Sequence, residues 1–123
     1  MHRLQVRGRM NIQIASTIRA RLIGLLGKDE FDGALLLTPC NDVHTIGMHR
    51  AIDISFIARD GTILEAHRDV RPGRRLRNRN ATAVLERFAC SDPWLEPPDR
   101  LQVVPNEVLN QNNPVRLATR RHP

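Results

Sequence analysis

At 123 residues the chain is expected to be one domain with a modest hydrophobic core, and nothing suggests a second. The net charge of +6 rests almost wholly on arginine, Lys28 being the sole lysine, and the aromatic residues are Phe31, Phe56, Phe88 and Trp94 with no tyrosine. Two cysteines exclude a disulfide framework, no apolar stretch approaches the ~20 residues that span a bilayer, and no signal-peptide core is seen, so a cytoplasmic protein with reduced thiols is expected.

Residues 1–8 are basic and expected to fray. Over 10–15, Met10, Ile12 and Ile14 alternate with Asn11, Gln13 and Ala15, the period of a strand with one wet face. Ser16-Thr17 offers an N-cap, and Ile18, Leu22, Leu25 and Leu26 recur at helical spacing. This predicts a helix over 18–26, stopped at Gly24 or Gly27 and packed on the sheet by its apolar stripe. Residues 33–38 are a short continuous apolar run, read as a buried strand that Pro39 ends.

The stretch 39–61 organises the rest. It reads as two strands joined by a polar corner, with Asp60-Gly61 as the turn into a pairing strand over 62–67. Asp53 stands inside the apolar run 52–57. A carboxylate there either faces water or is buried with hydrogen-bond partners. One reading is a carboxylate with a raised pKa in an apolar cleft, usable as a base or acceptor. The other is a structural acceptor for backbone or Thr45 donors. If strand alternation runs through the corner, His44, Ile46 and Met48 share one face while Thr45 and His49 share the other with Asp53. A His–Asp pair beside a hydroxyl has the ingredients of general-base chemistry, although no nucleophile motif accompanies it and enzymatic activity is left open. Cys40, His44, His49 and Cys90 do not have zinc spacing, and no metal or cofactor is expected.

Six of the thirteen residues in 68–80 are arginine, around a Pro72-Gly73 turn. This reads as a long basic loop, with Arg74, Arg75, Arg77 and Arg79 as candidate anion ligands. It carries no aromatics to stack bases and matches no nucleic-acid module. Solvated arginines are the alternative. Residues 83–88 read as strand or helix, strand being favoured because the sheet needs it. A single helical turn from Asp92-Pro93, a last strand over 99–104 and a flexible tail over 106–123 complete the expected order, with one domain over 10–105.

Four segments in this order resemble the bacterial and archaeal family catalogued as domain of unknown function 192. They are Arg21-Leu-Ile-Gly-Leu-Leu26; Gly33-Ala-Leu-Leu-Leu37; Val43-His-Thr-Ile-Gly-Met48 leading into Ile52-Asp-Ile-Ser-Phe-Ile57 and Asp60-Gly61; and Ala83-Val-Leu-Glu86. The chain departs from the common family pattern at Leu26, where methionine is usual, at 44–48, where Trp-Met-Lys-Asn-Thr is frequent, and at Ala51, where proline is frequent. The resemblance implies a small α+β domain with a curved, mostly antiparallel, barrel-like sheet and one packed helix, and it implies no activity. Two functions are expected on the residues: a small-ligand pocket floored by Asp53 with Thr45, His44 and His49 nearby, or an accessory protein docking on an acidic protein or nucleic acid through the 68–79 arginines. No membrane partner is expected, and the sequence does not set an oligomeric state.

Overall fold

The structure, a computed structural model, describes residues 3–5, 10–16, 24–105 and 115–121. It is built of strands: β1 (Arg3–Gln5), β2 (Asn11–Ala15), β3 (Ala34–Leu37), β4 (Asp42–His44), β5 (Ile52–Ile57), β6 (Ile63–Val70), β7 (Arg75–Arg77), β8 (Ala83–Phe88), β9 (Leu101–Pro105) and β10 (Val115–Arg121). The main sheet runs β1-β10-β2-β3-β8-β5-β6, with β9 also paired to β10, and β4 and β7 form a separate two-stranded ribbon. Every pairing is antiparallel except β2 with β3.

The sheet closes on itself. At the start of β6, Thr62 bridges Arg100, Ile63 N–H donates to Asp99 C=O at 2.9 Å, and Leu101 N–H donates to Gly61 C=O at 2.7 Å. β6 thus meets the head of β9, which leads through β10 back to β2. Gly61 makes this contact feasible. Its φ is +92°, and a Cβ there would lie 2.5 Å from the Leu101 carbonyl oxygen, so only glycine fits the turn.

β5 and β8 are buried at every position because both faces of the curved sheet are covered. Inside the ring, Ile12, Ala34, Leu36, Ile57, Ala83 and Leu85 pack with Ile63, Leu101 and the inserted Trp94 and Leu95. Outside it, Leu35, Leu37, Ile52, Ile54, Phe56, Val84 and Phe88 pack under Leu25, Met48 and the ribbon residue Val43. Each large side chain so removed from water contributes about 1.5–3 kcal/mol.

The barrel-like, mostly antiparallel sheet is present, but the α+β class is not: among the described residues there is no helix, and the fold is β. The larger part of the helix expected over 18–26 lies outside the described residues, and Gly24–Leu26 belong to a turn. The helical turn expected at Asp92-Pro93 is also absent. That segment is held by side-chain bonds to its carbonyls instead of by capping. The two strands of 39–61 are not a hairpin, since β4 pairs with β7 and β5 with β6 and β8. The basic loop contains the end of β6 and all of β7. Within the expected tail, Val115–Arg121 is a strand paired with β9, β2 and β1, while 106–114 and 122–123 lie outside the described residues. Among the described residues no helix is long and apolar enough to cross a membrane.

Candidate functional site

Asp53 sits on β5 opposite Arg87 of β8, and the two side chains pair. Arg87 Nε donates to Asp53 Oδ2 at 2.9 Å, with the Asp53 side chain 1% and the Arg87 side chain 5% exposed. The other oxygen, Oδ1, accepts the Asp69 N–H at 2.9 Å, where a bulge in β6 leaves Asp69 at φ +56°. Arg68 Nε stands 4.0 Å from the same oxygen. Arg87 also donates to the carbonyls of Asp92 at 2.7 Å and Pro93 at 3.2 Å, and its guanidinium lies 4.6 Å over the Trp94 ring. Arg68 adds bonds to the Cys90 and Asp92 carbonyls, both at 2.7 Å. Ser55, two residues along the same face, donates to the Leu95 carbonyl at 2.7 Å. These groups form one connected network that fastens the 90–95 segment against the sheet and seats Trp94 and Leu95 in the core. A polar group this deeply buried is tolerated because its bonds are made.

Thr45 is equally buried, at 1% exposure, and serves a different segment. Its hydroxyl donates to the Arg71 carbonyl at 2.7 Å and accepts the Arg74 N–H at 2.8 Å. Its own N–H donates to the Arg74 carbonyl at 2.7 Å, and its carbonyl accepts from Gly73 and Met48, both at 3.1 Å. The residue thus moulds the 71–74 turn into a fixed shape. Thr45→Val is expected to orphan the Arg71 and Arg74 backbone groups and cost about 1–3 kcal/mol. A urea midpoint equal to wild type would refute that role.

The ribbon register pairs Asp42 with Arg77, Val43 with Leu76 and His44 with Arg75. Val43 and Leu76 turn inward to the outer core, so Asp42, His44, Arg75 and Arg77 share the outward face. Arg75 forks onto Asp42 at 3.1 and 2.6 Å, and its guanidinium holds the Asp42 carboxyl below the usual carboxylate range. Arg71, Arg74, Arg77 and Arg79 are exposed and form no ion pair among the described residues. The turn has therefore placed His44 with the arginines.

The expected set is thus divided. Asp53 bonds to Asp69 and Arg87, Thr45 to the 71–74 turn, and His49 Nδ1 to Asp29 Oδ1 at 2.7 Å on the surface. Strand alternation does not carry from 44 to 49, because β4 ends at His44 and a turn follows. Cys40 and Cys90 form no disulfide among the described residues, and Cys40 Sγ donates to the Asp42 carbonyl at 3.5 Å. Sequence reasoning misses Arg87 and Glu86. Their signal is two charged residues inside a strand with no wet face. It also misses Glu65 and His67, a further pair two apart on β6, beyond the end of the 39–61 stretch.

The family model described as DUF192, Uncharacterized ACR, matches residues 2–89, more than half of the chain, and the chain belongs to that family. A protein of unknown function from Novosphingobium aromaticivorans is similar in structure, with a TM-score of 0.57 and 18% identity over 63% of this chain and 62% of that one; the likeness spans less than two thirds of that protein's length. A candidate transcription regulator from Sinorhizobium meliloti has a TM-score of 0.60 and 25% identity over 72% of this chain and 78% of that one. No curated protein matches the chain.

Proposed function

We propose that this member of the uncharacterised DUF192 family docks on an anionic partner through the outward face of the β4–β7 ribbon and the 71–74 turn. The observation that carries the reading is the contrast among the arginines: Arg75 is neutralised by Asp42, while Arg71, Arg74, Arg77 and Arg79 are exposed and have no carboxylate within ion-pair distance among the described residues, Arg77 meeting Asp42 only at longer range. Thr45 fixes the backbone from which two of them project, so less entropy is lost when they engage phosphates or carboxylates. Nucleic acid is the first partner to try, because the similar Sinorhizobium protein is named as a candidate transcription regulator. The reading of a small-ligand pocket around Asp53 and Thr45 has less support, since both side chains direct their hydrogen bonds to other parts of the chain.

Fluorescence anisotropy with a 20-base-pair duplex, across a salt series, tests the reading. Binding is expected to weaken with salt. Replacing Arg71, Arg74, Arg77 and Arg79 by alanine is expected to reduce the slope of log K against log[salt] by about 3–4, near 0.9 for each phosphate no longer neutralised. Arg75→Ala serves as the comparison and is expected to change the slope by less than about 1. Binding indifferent to the four replacements would overturn the ribbon as the docking face.

A further inference from the structure

Outside the ribbon face, a carboxylate, an imidazole and an amide meet on β6. Glu65 and His67 lie two apart, opposite Phe56 and Ile54 of β5, and therefore share the outer face of the sheet. Glu65 Oε2 bonds His67 Nε2 at 2.5 Å, and Oε1 accepts from Asn78 Nδ2 at 2.9 Å. Asn78 is itself immobilised. Its side-chain oxygen accepts the Asn80 N–H at 3.0 Å, its N–H donates to the Asn41 carbonyl at 2.9 Å, and its carbonyl accepts from Ala81 at 3.1 Å. The Asn80 bond settles which end of the Asn78 amide faces Glu65.

The carboxylate is thereby held at both oxygens, and the two bonds, from His67 first and then Asn78, keep its pKa below the ordinary glutamate value. An ionised Glu65 is an acceptor only, so His67 Nε2 carries a proton, and in the neutral ring the lone pair therefore lies on Nδ1. The ring also meets the Phe56 ring edge-on, with centroids 6.4 Å apart and planes at 89°. Nδ1 makes no hydrogen bond among the described residues. It is also not buried: the one buried side-chain polar atom without a partner there is Trp94 Nε1. The His67 side chain is 34% exposed.

We propose that His67 is a general base, with Glu65 and Asn78 as positioning residues, acting on a water or hydroxyl presented to Nδ1. This is a site distinct from the arginine face. A base held by a third group is the arrangement that proton abstraction needs. In hydrolysis of an ester, Nδ1 takes a proton from water as the water oxygen bonds to the acyl carbon. The tetrahedral adduct then expels the alkoxide or phenoxide, and the imidazolium returns its proton to that leaving group or to solvent. Acid and alcohol are the products, and no redox partner is required.

The probe is 4-nitrophenyl acetate with the full chain. Wild type is expected to hydrolyse it at least tenfold faster than free imidazole at equal concentration, and His67→Gln to lose that excess. His44→Gln and His49→Gln are expected to keep it. Glu65→Gln is expected to lower the rate at least tenfold and to move the pH–rate profile. In parallel, imidazole nitrogen NMR is expected to show the Nε2–H tautomer at His67 in wild type and a mixture in Glu65→Gln. Thermal melts matched to wild type establish that the variants are folded. A wild-type rate no greater than that of free imidazole, full activity in His67→Gln, or a proton on Nδ1 in the neutral ring would each overturn the proposal.

Discussion

Asp53→Ala is expected to cost about 3–5 kcal/mol, the loss that follows when one partner of a buried ion pair is removed. Arg87 would be left 95% covered with no counter-charge, and its remaining bonds are to the neutral carbonyls of Asp92 and Pro93. The Asp69 N–H would lose its acceptor at the residue whose φ of +56° it holds, a conformation that persists only when its surroundings fix it. For a domain near this size each kcal/mol moves the melting temperature by about 4–8 °C, so a fall of at least about 12 °C is expected. Asp53→Asn should fall between the two proteins. Its side-chain oxygen can still serve Asp69, but its amide then presents a donor to the Arg87 Nε donor.

The same argument makes a stronger demand of the double variant Asp53→Leu with Arg87→Met. With both charges gone, no ion remains to be desolvated, and apolar replacements of similar volume are often neutral or stabilising. The double variant should therefore recover most of what Asp53→Ala loses. A drop below about 3 °C for Asp53→Ala would show that the pair is idle. A double variant as unstable as Asp53→Ala would show that packing or the Asp69 turn dominates.

How much of this was legible depended on how far each contact reaches along the chain. Strands β2, β3, β5 and β6 are readable because alternation, apolar runs and the Asp60-Gly61 turn are local, whereas β8 is locally ambiguous with helix and follows only from the need of the sheet for a partner. The β4–β7 ribbon is not readable, since it joins Asp42–His44 to Arg75–Arg77 across an entire hairpin, and three-residue strands carry too little period to detect. At Leu25 and Leu26 the chain is a turn that presents Leu25 to the outer core, and the rest of the segment whose spacing is helical lies outside the described residues. At Asp53 the need for partners was plain from its apolar neighbours, and of its two readings the structural one is what its bonds match. The partner was not plain, because Arg87 lies 34 positions away and reads, in isolation, as one more surface arginine. The sequence pattern groups Thr45 with Asp53, but its side chain bonds the arginine turn instead. The corner after His44 breaks the strand alternation on which the pairing of Thr45 with Asp53 rested.

Glu86→Gln is expected to flatten the pH dependence of stability. Glu86 lies on β8 opposite Leu35 and Ile54, is 4% exposed, and is pushed up to about 7 by burial, against the partial opposition of a bond from the Leu25 backbone. Its ordinary value is 4.5, so between the two the folded protein holds a proton that the unfolded chain releases. The contribution of the neutral carboxyl is complete below 4.5, declines as pH rises through about 7, and is gone above it, a loss of about 3 kcal/mol. Glutamine cannot ionise, and its oxygen can still accept from Leu25, while its added amide hydrogens lack a natural partner there. At pH 5 the variant should therefore be equal to wild type or slightly weaker, and at pH 8 it should be the more stable of the two. All other ionisable groups are common to both proteins and cancel in the difference. Urea unfolding of the two proteins at pH 5, 6.5 and 8 checks this. Parallel curves would mean that Glu86 stays charged in the fold and that the turn at Leu25 is held by an ionised carboxylate.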